Sequence, residues 1–108
     1  MQQNIANTRT IAVVGLGYVG LPLALLAKRK GYTVIGIDVS SEKIDQLKNS
    51  SLEATADFSR IKDASIIIIC VPTPVHKNHM PNLEPVENAC RNIAPFLQKD
   101  QLVVLEST

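Results

Sequence analysis

The chain has 108 residues, 45% of them hydrophobic but only 4% aromatic, which suits one domain with an aliphatic core and excludes two. Its formal net charge is +1, and Lys and Arg form no single stripe, which argues against a nucleic-acid footprint. The apolar runs are too short for a bilayer, and no basic-then-apolar signal peptide opens the chain. The two cysteines, Cys70 and Cys90, lack CxxC spacing, so neither a zinc site nor a disulfide framework is suggested and a cytoplasmic protein with reduced thiols is expected.

Met1 to Thr8 is polar and reads as a frayed start. Arg9 to Val14 predicts a strand that ends at Gly15. Tyr18 to Lys30 predicts a helix, with Pro22 tolerated in its first turn. Lys28, Arg29 and Lys30 sit at its negative end, and Gly31 supplies the left-handed stop. Thr33 to Ile37 is the second strand, and Ser40 or Ser41 caps a short helix through Leu47. Leu52 to Thr55 is a weak third strand, and Asp57 caps one helical turn, Phe58 to Lys62. Ile66 to Cys70 is an unbroken apolar run, as a parallel strand buried on both faces requires. Val71 to Pro81 holds three prolines and reads as loop. Pro85 suits the first position of a helix to about Leu97, which Pro95 kinks or ends. Gln101 to Glu106 is the last strand. Strands separated by helices predict an α/β fold, a Rossmann-type doubly wound parallel sheet with strand order 3-2-1-4-5. The ligand crevice then lies at the switch point, between the loop after Gly15 and the loop after Cys70.

The strongest motif is Gly15-Leu16-Gly17-Tyr18-Val19-Gly20. Gly15 allows the tight turn, Gly17 lets backbone approach a pyrophosphate, and Gly20 lets the helix pack on the sheet. The helix N-terminus offers N–H groups to the phosphates. The motif follows an apolar strand, opens a helix, and is followed 18 residues after Gly20 by an acid, Asp38, at the end of the next strand. That carboxylate suits ribose hydroxyls and repels a 2′-phosphate, which favours NAD over NADP. The structural alternative is a glycine-rich turn with an ordinary strand-end aspartate. Lys43 either reaches the adenosine ribose or a phosphate, or is a solvated helix lysine.

Val71-Pro72-Thr73-Pro74 follows the fourth strand beside the expected nicotinamide half. Val71 and Thr73 either touch the cofactor or belong to a rigid loop without contact. Glu106-Ser107-Thr108 ends the fifth strand, and its hydroxyls face the same crevice. His76 and His79 form an HxxH pair with no third ligand in view, so no metal is expected. Cys70 reads as packing, and Cys90 as helix core rather than nucleophile.

Together VVGLGYVGLPLA, GIDVSSEKI, CVPTP and VVLEST resemble the UDP-glucose/GDP-mannose dehydrogenases over nearly the whole chain. Within them the sequence is most similar to the UDP-N-acetylglucosamine and N-acetylmannosamine 6-dehydrogenases. The resemblance implies oxidation of a sugar C6 alcohol to a carboxylate in two NAD-dependent hydride transfers. It implies NAD contacts at Gly15 to Gly20, above all Tyr18 and Val19, and at Asp38, Lys43 and Thr73, with Val71 of the same loop counted as cofactor-binding beside Thr73. Thr108 matches the threonine that the family places near cofactor and reacting water, so it is the candidate catalytic residue. The family's central helix with its lysine and asparagine, and its C-terminal domain with the nucleophilic cysteine, have no counterpart here. Aldehyde oxidation needs that thiol, so the 108 residues are expected to form one NAD-binding domain that does not complete the reaction. The UDP-sugar is then a partner of the full-length enzyme only.

The family also carries a longer stretch where Leu47-Lys48-Asn49-Ser50-Ser51 runs almost directly into Leu52-Glu53-Ala54-Thr55. That shortening is expected to leave the third, edge strand less covered and prone to pairing. Apolar surface left open by the missing parts is expected to favour self-association. Two other readings stand beside this one. A regulatory or scaffold module would keep the fold and bind a nucleotide without catalysis. An S-adenosylmethionine site is less well matched, because a full GxGxxG opening a helix suits a pyrophosphate better.

Overall fold

A computed structural model describes residues 9–106. The expected frayed start, Ser107 and Thr108 lie outside that range.

Five parallel strands form one sheet in the order β3-β2-β1-β4-β5, the order expected. They are β1 (Thr10–Val14), β2 (Thr33–Ile37), β3 (Glu53–Thr55), β4 (Ile66–Ile69) and β5 (Leu102–Leu105). The helices are α1 (Gly20–Arg29), α2 (Ser41–Gln46) and α3 (Glu84–Ile93), with 3₁₀ segments at Phe58–Asp63 and Ala94–Phe96.

Strand periodicity divides the core in two. Ile11, Val13 and Val34 face α1 together with Leu16 and Ala24. Ala12, Val14, Ile35, Ile37, Ile67 and Ile69 face the other way, against Ile61, Ala89 and Ile93. Each fully buried isoleucine contributes about 1.5–3 kcal/mol. Ile66 and Ile68 are only half-buried, so β4 is fully covered on one face and partly on the other.

Helix α1 becomes continuous at Gly20 and not Tyr18. Leu21 N–H donates to the Gly17 carbonyl, but Pro22 has no N–H to give Tyr18, so the ladder breaks for one step. Gly31, at φ +99°, ends the helix as expected. Ser40, not Ser41, caps α2: its Oγ accepts the Lys43 N–H at 3.2 Å. The Asp57 carboxylate accepts the Ser59 N–H at 3.0 Å and caps the first 3₁₀ segment, which runs one residue beyond Lys62. Glu84 precedes Pro85 in α3, so the proline is second in the helix. Pro95 lacks an N–H for the Arg91 carbonyl, and the chain tightens into 3₁₀ geometry there. In the proline-rich loop, Val75 and Pro81 form an antiparallel bridge, closed by the His76 N–H on the Met80 carbonyl at 2.8 Å.

Two expectations need correction. Cys90 is exposed, because α3 turns Ala89 and Ile93 inward and Cys90 lies off that stripe. Edge strand β3 keeps an open outer side among the described residues, as β5 does, but the shortened link before it is better covered than expected. Ser50 Oγ donates to the Leu47 carbonyl at 2.8 Å and accepts the Leu52 N–H at 3.2 Å, so the short α2–β3 link closes on itself and Leu52 is buried. Arg60 pairs with Glu53 and with Asp63, which puts charge along that edge. The barer edge is β5, whose Leu102, Val103, Val104 and Leu105 are 36–58% exposed.

Candidate functional site

Register aligns the strand ends. Val14 lies opposite Ile37 and Ile69, and Ile69 opposite Leu105. The next residue of each strand therefore falls in one row along the carboxyl edge of the sheet: Asp38, Gly15, Cys70 and Glu106. Backbone bonds tie the row together, from Gly15 N–H to Ile37, Cys70 N–H to Val14, and Glu106 N–H to Ile69. Above it opens a cleft of about 1220 Å³ at the β1–β4 switch point. Small-molecule pockets commonly measure roughly 300–1,000 Å³, so this open cleft is of a size for a ligand larger than most.

The loop after β1 forms one wall. Gly15 has φ +99°, and a Cβ there would meet the Cys70 carbonyl carbon and oxygen at 3.0 Å. A Cβ on Gly20 would collide with the Gly15 carbonyl oxygen. These two glycines are demanded by the fold. Gly17 is not: its φ lies outside the left-handed region, and its Cβ would meet only the Lys43 Nζ, at 3.7 Å. Among the described residues, none accepts a hydrogen bond from the N–H groups of Gly17, Tyr18, Val19 or Gly20. Free donors at the start of a ten-residue helix, beside a lysine ammonium, form an anion cradle.

Asp38 is 8% exposed. Its Oδ2 accepts the Leu16 N–H at 2.8 Å and its Oδ1 accepts the Ser40 N–H at 2.9 Å. The carboxylate thus clamps the phosphate-loop backbone to the start of α2. A carboxylate offers about four acceptor positions, so both oxygens retain capacity for ribose hydroxyls. Lys43, half-exposed, reaches back to within 4.0 Å of Asp38 Oδ2. Its ammonium stands over the loop while nearly half of the side chain meets solvent.

Of the expected site residues, Gly15, Gly17, Tyr18, Val19, Asp38, Lys43 and Val71 line the cleft. Gly20 and Thr73 do not: Gly20 is buried behind Gly15, and Thr73 lies past Pro72, beyond the rim. Thr108 lies outside the described residues. Cys70 is buried beneath the loop, and burial first, then the Glu106 carboxylate, pushes its thiol up, so it stays protonated and serves as packing. His76 and His79 are exposed, and the described residues hold no group of three or more metal-ligating side chains.

The far wall was not anticipated. Phe58 lines it, as do Pro85, Asn88, Ala89 and Asn92 of α3. The spacing of those four, i, i+3, i+4 and i+7, marked one helix face. The sequence did not show that this face turns toward the switch point.

Comparison with known proteins agrees with this geometry. The profile of the UDP-glucose/GDP-mannose dehydrogenase family, NAD binding domain, matches residues 9–54 and 48–108. Its two pieces overlap at residues 48–54, the part of the chain that reads as shortened. Protein CapL of Staphylococcus aureus is 39% identical over 115 residues, covering 93% of this chain and 27% of CapL. The UDP-N-acetyl-D-mannosamine dehydrogenase of Escherichia coli K12 is 38% identical, covering 92% of this chain and 28% of that protein. The UDP-D-ManNAc dehydrogenase of Pyrococcus horikoshii superposes with a TM-score of 0.85 at 33% identity, over 92% of this chain and 28% of that one. GDP-mannose dehydrogenase of Pseudomonas aeruginosa, a ternary complex, gives 0.82 at 33%, over 91% and 28%. The chain thus spans little more than a quarter of the length of these relatives. Sheet order, glycine loop, strand-end acid and family profile agree: the chain belongs to the UDP-glucose/GDP-mannose dehydrogenase family, as its NAD-binding domain.

Proposed function

We propose that residues 1–108 form one domain that holds NAD in the switch-point cleft, and that it is the cofactor half of a UDP-N-acetylhexosamine 6-dehydrogenase. The observation that carries the cleft assignment is Gly17, a glycine for which the fold itself has no need. The pyrophosphate sits on the N–H groups of Gly17, Tyr18 and Val19, with Lys43 adding positive charge and Gly20 letting the helix pack behind them. Asp38 accepts the adenosine ribose hydroxyls with the acceptor capacity left by Leu16 and Ser40. Val71 bounds the nicotinamide half, and Thr73, two residues on, is the further candidate there. A nicotinamide held there supplies hydride acceptance. Neither cysteine of the chain suits the covalent step: Cys70 is buried and protonated, and Cys90 stands on the outer side of α3. The 108 residues bind and orient the cofactor without turning over a sugar, and Thr108 is kept as the catalytic candidate that the family resemblance implies. The two free thiols fit a cytoplasmic setting.

Calorimetric titration tests this reading. NAD binds saturably, and NADP binds at least about tenfold more weakly, or ~1.4 kcal/mol, because Asp38 faces the 2′ position. A folded chain that binds neither would favour a scaffold or regulatory module that has kept only the fold.

We also propose that the isolated chain self-associates through β5. Four exposed aliphatic residues on an open edge, with unpaired backbone groups alongside, form a template for a second copy. Light scattering over a dilution series will show dimers or larger species, and Val103→Lys will return the protein to monomer. A wild-type chain that is monomeric at every concentration rules the interface out.

A further inference from the structure

The row of strand ends gives the cleft a polarity. Asp38 and Lys43 mark the adenosine side, over β2, and the anion cradle lies over β1. The far end, over β4 and β5, is therefore the nicotinamide side. Glu106 stands there, directly after β5, fixed by its N–H on the Ile69 carbonyl at 2.9 Å and lining the cleft beside Cys70. Among the described residues it forms no ion pair. Arg91, a cation of the cleft wall, is tied by its Nη1 to Asn88 Oδ1 at 3.0 Å. Glu106 lines the cleft next to Cys70, whose thiol is pushed up first by burial and then by that carboxylate.

The nicotinamide ring of NAD carries a positive charge that it loses on reduction. We propose that Glu106 sets the redox preference of the cleft, favouring the oxidised, cationic cofactor over the reduced one. Resting on the NAD assignment above, this gives the domain a bias toward substrate oxidation: oxidised cofactor is held, and reduced cofactor is released. Glu106 acts through charge at the ring, whereas ribose and pyrophosphate recognition is left to Asp38 and the glycine loop.

Titrations with oxidised NAD, reduced NAD and ADP-ribose, on wild type and Glu106→Gln, test it. An exposed carboxylate at the edge of a cleft changes affinity for a unit positive charge by roughly three- to tenfold. Glu106→Gln should lose that factor for oxidised NAD, while reduced NAD and ADP-ribose bind as before. ADP-ribose lacks the nicotinamide ring and so reports whether the rest of the cleft is intact. Equal weakening of all three ligands would make Glu106 a structural brace, and no change in any would place its charge away from the ring; either overturns the inference. If wild type binds none of the three, the NAD assignment fails too. ADP-ribose binding with an unchanged ratio of oxidised to reduced affinity sinks this inference alone.

Discussion

Gly17→Ala will fold like wild type yet lose about 100-fold in affinity for NAD, roughly 2.7 kcal/mol. The neighbourhood of Gly17 is open: a new Cβ meets only the flexible tip of Lys43, at 3.7 Å, and its backbone conformation suits any residue. A thermal melt should therefore move little. On the ligand side the same methyl group stands where the pyrophosphate must approach the loop N–H groups. Losing one hydrogen bond to a charged group costs about 1.5–3 kcal/mol, which sets the size of the effect. Gly20→Ala is the contrasting variant. Its methyl collides with the Gly15 carbonyl oxygen, part of the backbone and unable to swing aside, and presses on Cys70 Cβ at 3.2 Å. Overpacking of this kind costs about 1–3 kcal/mol, and a backbone clash falls at the upper end, out of a total stability of roughly 5–15 kcal/mol. Its signature is a lower melting temperature with or without ligand. If Gly17→Ala binds NAD as tightly as wild type, the loop is a turn and not a phosphate cradle.

The contrast between these glycines shows how far the fold was legible in the sequence. Alternating apolar runs, the prolines and the glycine loop gave sheet order and crevice, because a parallel sheet leaves few ways to connect such elements. Gly15, Gly17 and Gly20 look equivalent in a motif, and only the surrounding backbone separates the two that the fold requires from the one it does not. The wall made by Phe58 and α3 was hidden for a similar reason: periodicity gives a helix face but not the neighbour it meets. Cys90 was misplaced because it adjoins the inward Ala89, and a rotation of about 100° per residue carries it to solvent. The open edge was expected at β3, where the chain is shortened, yet Leu52 and Ser50 close that link locally. At β5, four aliphatic residues pair with β4 on one side and have no strand on the other among the described residues. Burial of a strand depends on what lies beside it, which its own residues do not specify.

Asp38→Ala will reduce both stability and affinity, and the two losses are separable. Its carboxylate is nearly buried, and both oxygens accept backbone N–H bonds, from Leu16 at 2.8 Å and from Ser40 at 2.9 Å. Truncation leaves the Leu16 N–H buried without a partner, which costs about 1–3 kcal/mol. In a domain of this length each kcal/mol lowers the melting temperature by roughly 4–8 °C. Weaker NAD binding alone would therefore not prove a ribose contact, since a loosened glycine loop also weakens it. ADP-ribose and inorganic pyrophosphate, titrated side by side, make the distinction. Pyrophosphate uses only the loop and Lys43, so its change measures the loosening. The additional loss for ADP-ribose measures the ribose bonds, expected at about tenfold, or ~1.4 kcal/mol. Lys43 bears on the result as well: with the carboxylate gone, its ammonium is released from an ion pair at 4.0 Å and stands nearer a neutral ribose edge. Discrimination against NADP should then disappear in Asp38→Ala, and a 2′-phosphate gains a cation in place of an anion. If Asp38→Ala still rejects NADP as wild type does, the acid holds the loop in place and cofactor choice resides elsewhere in the cleft.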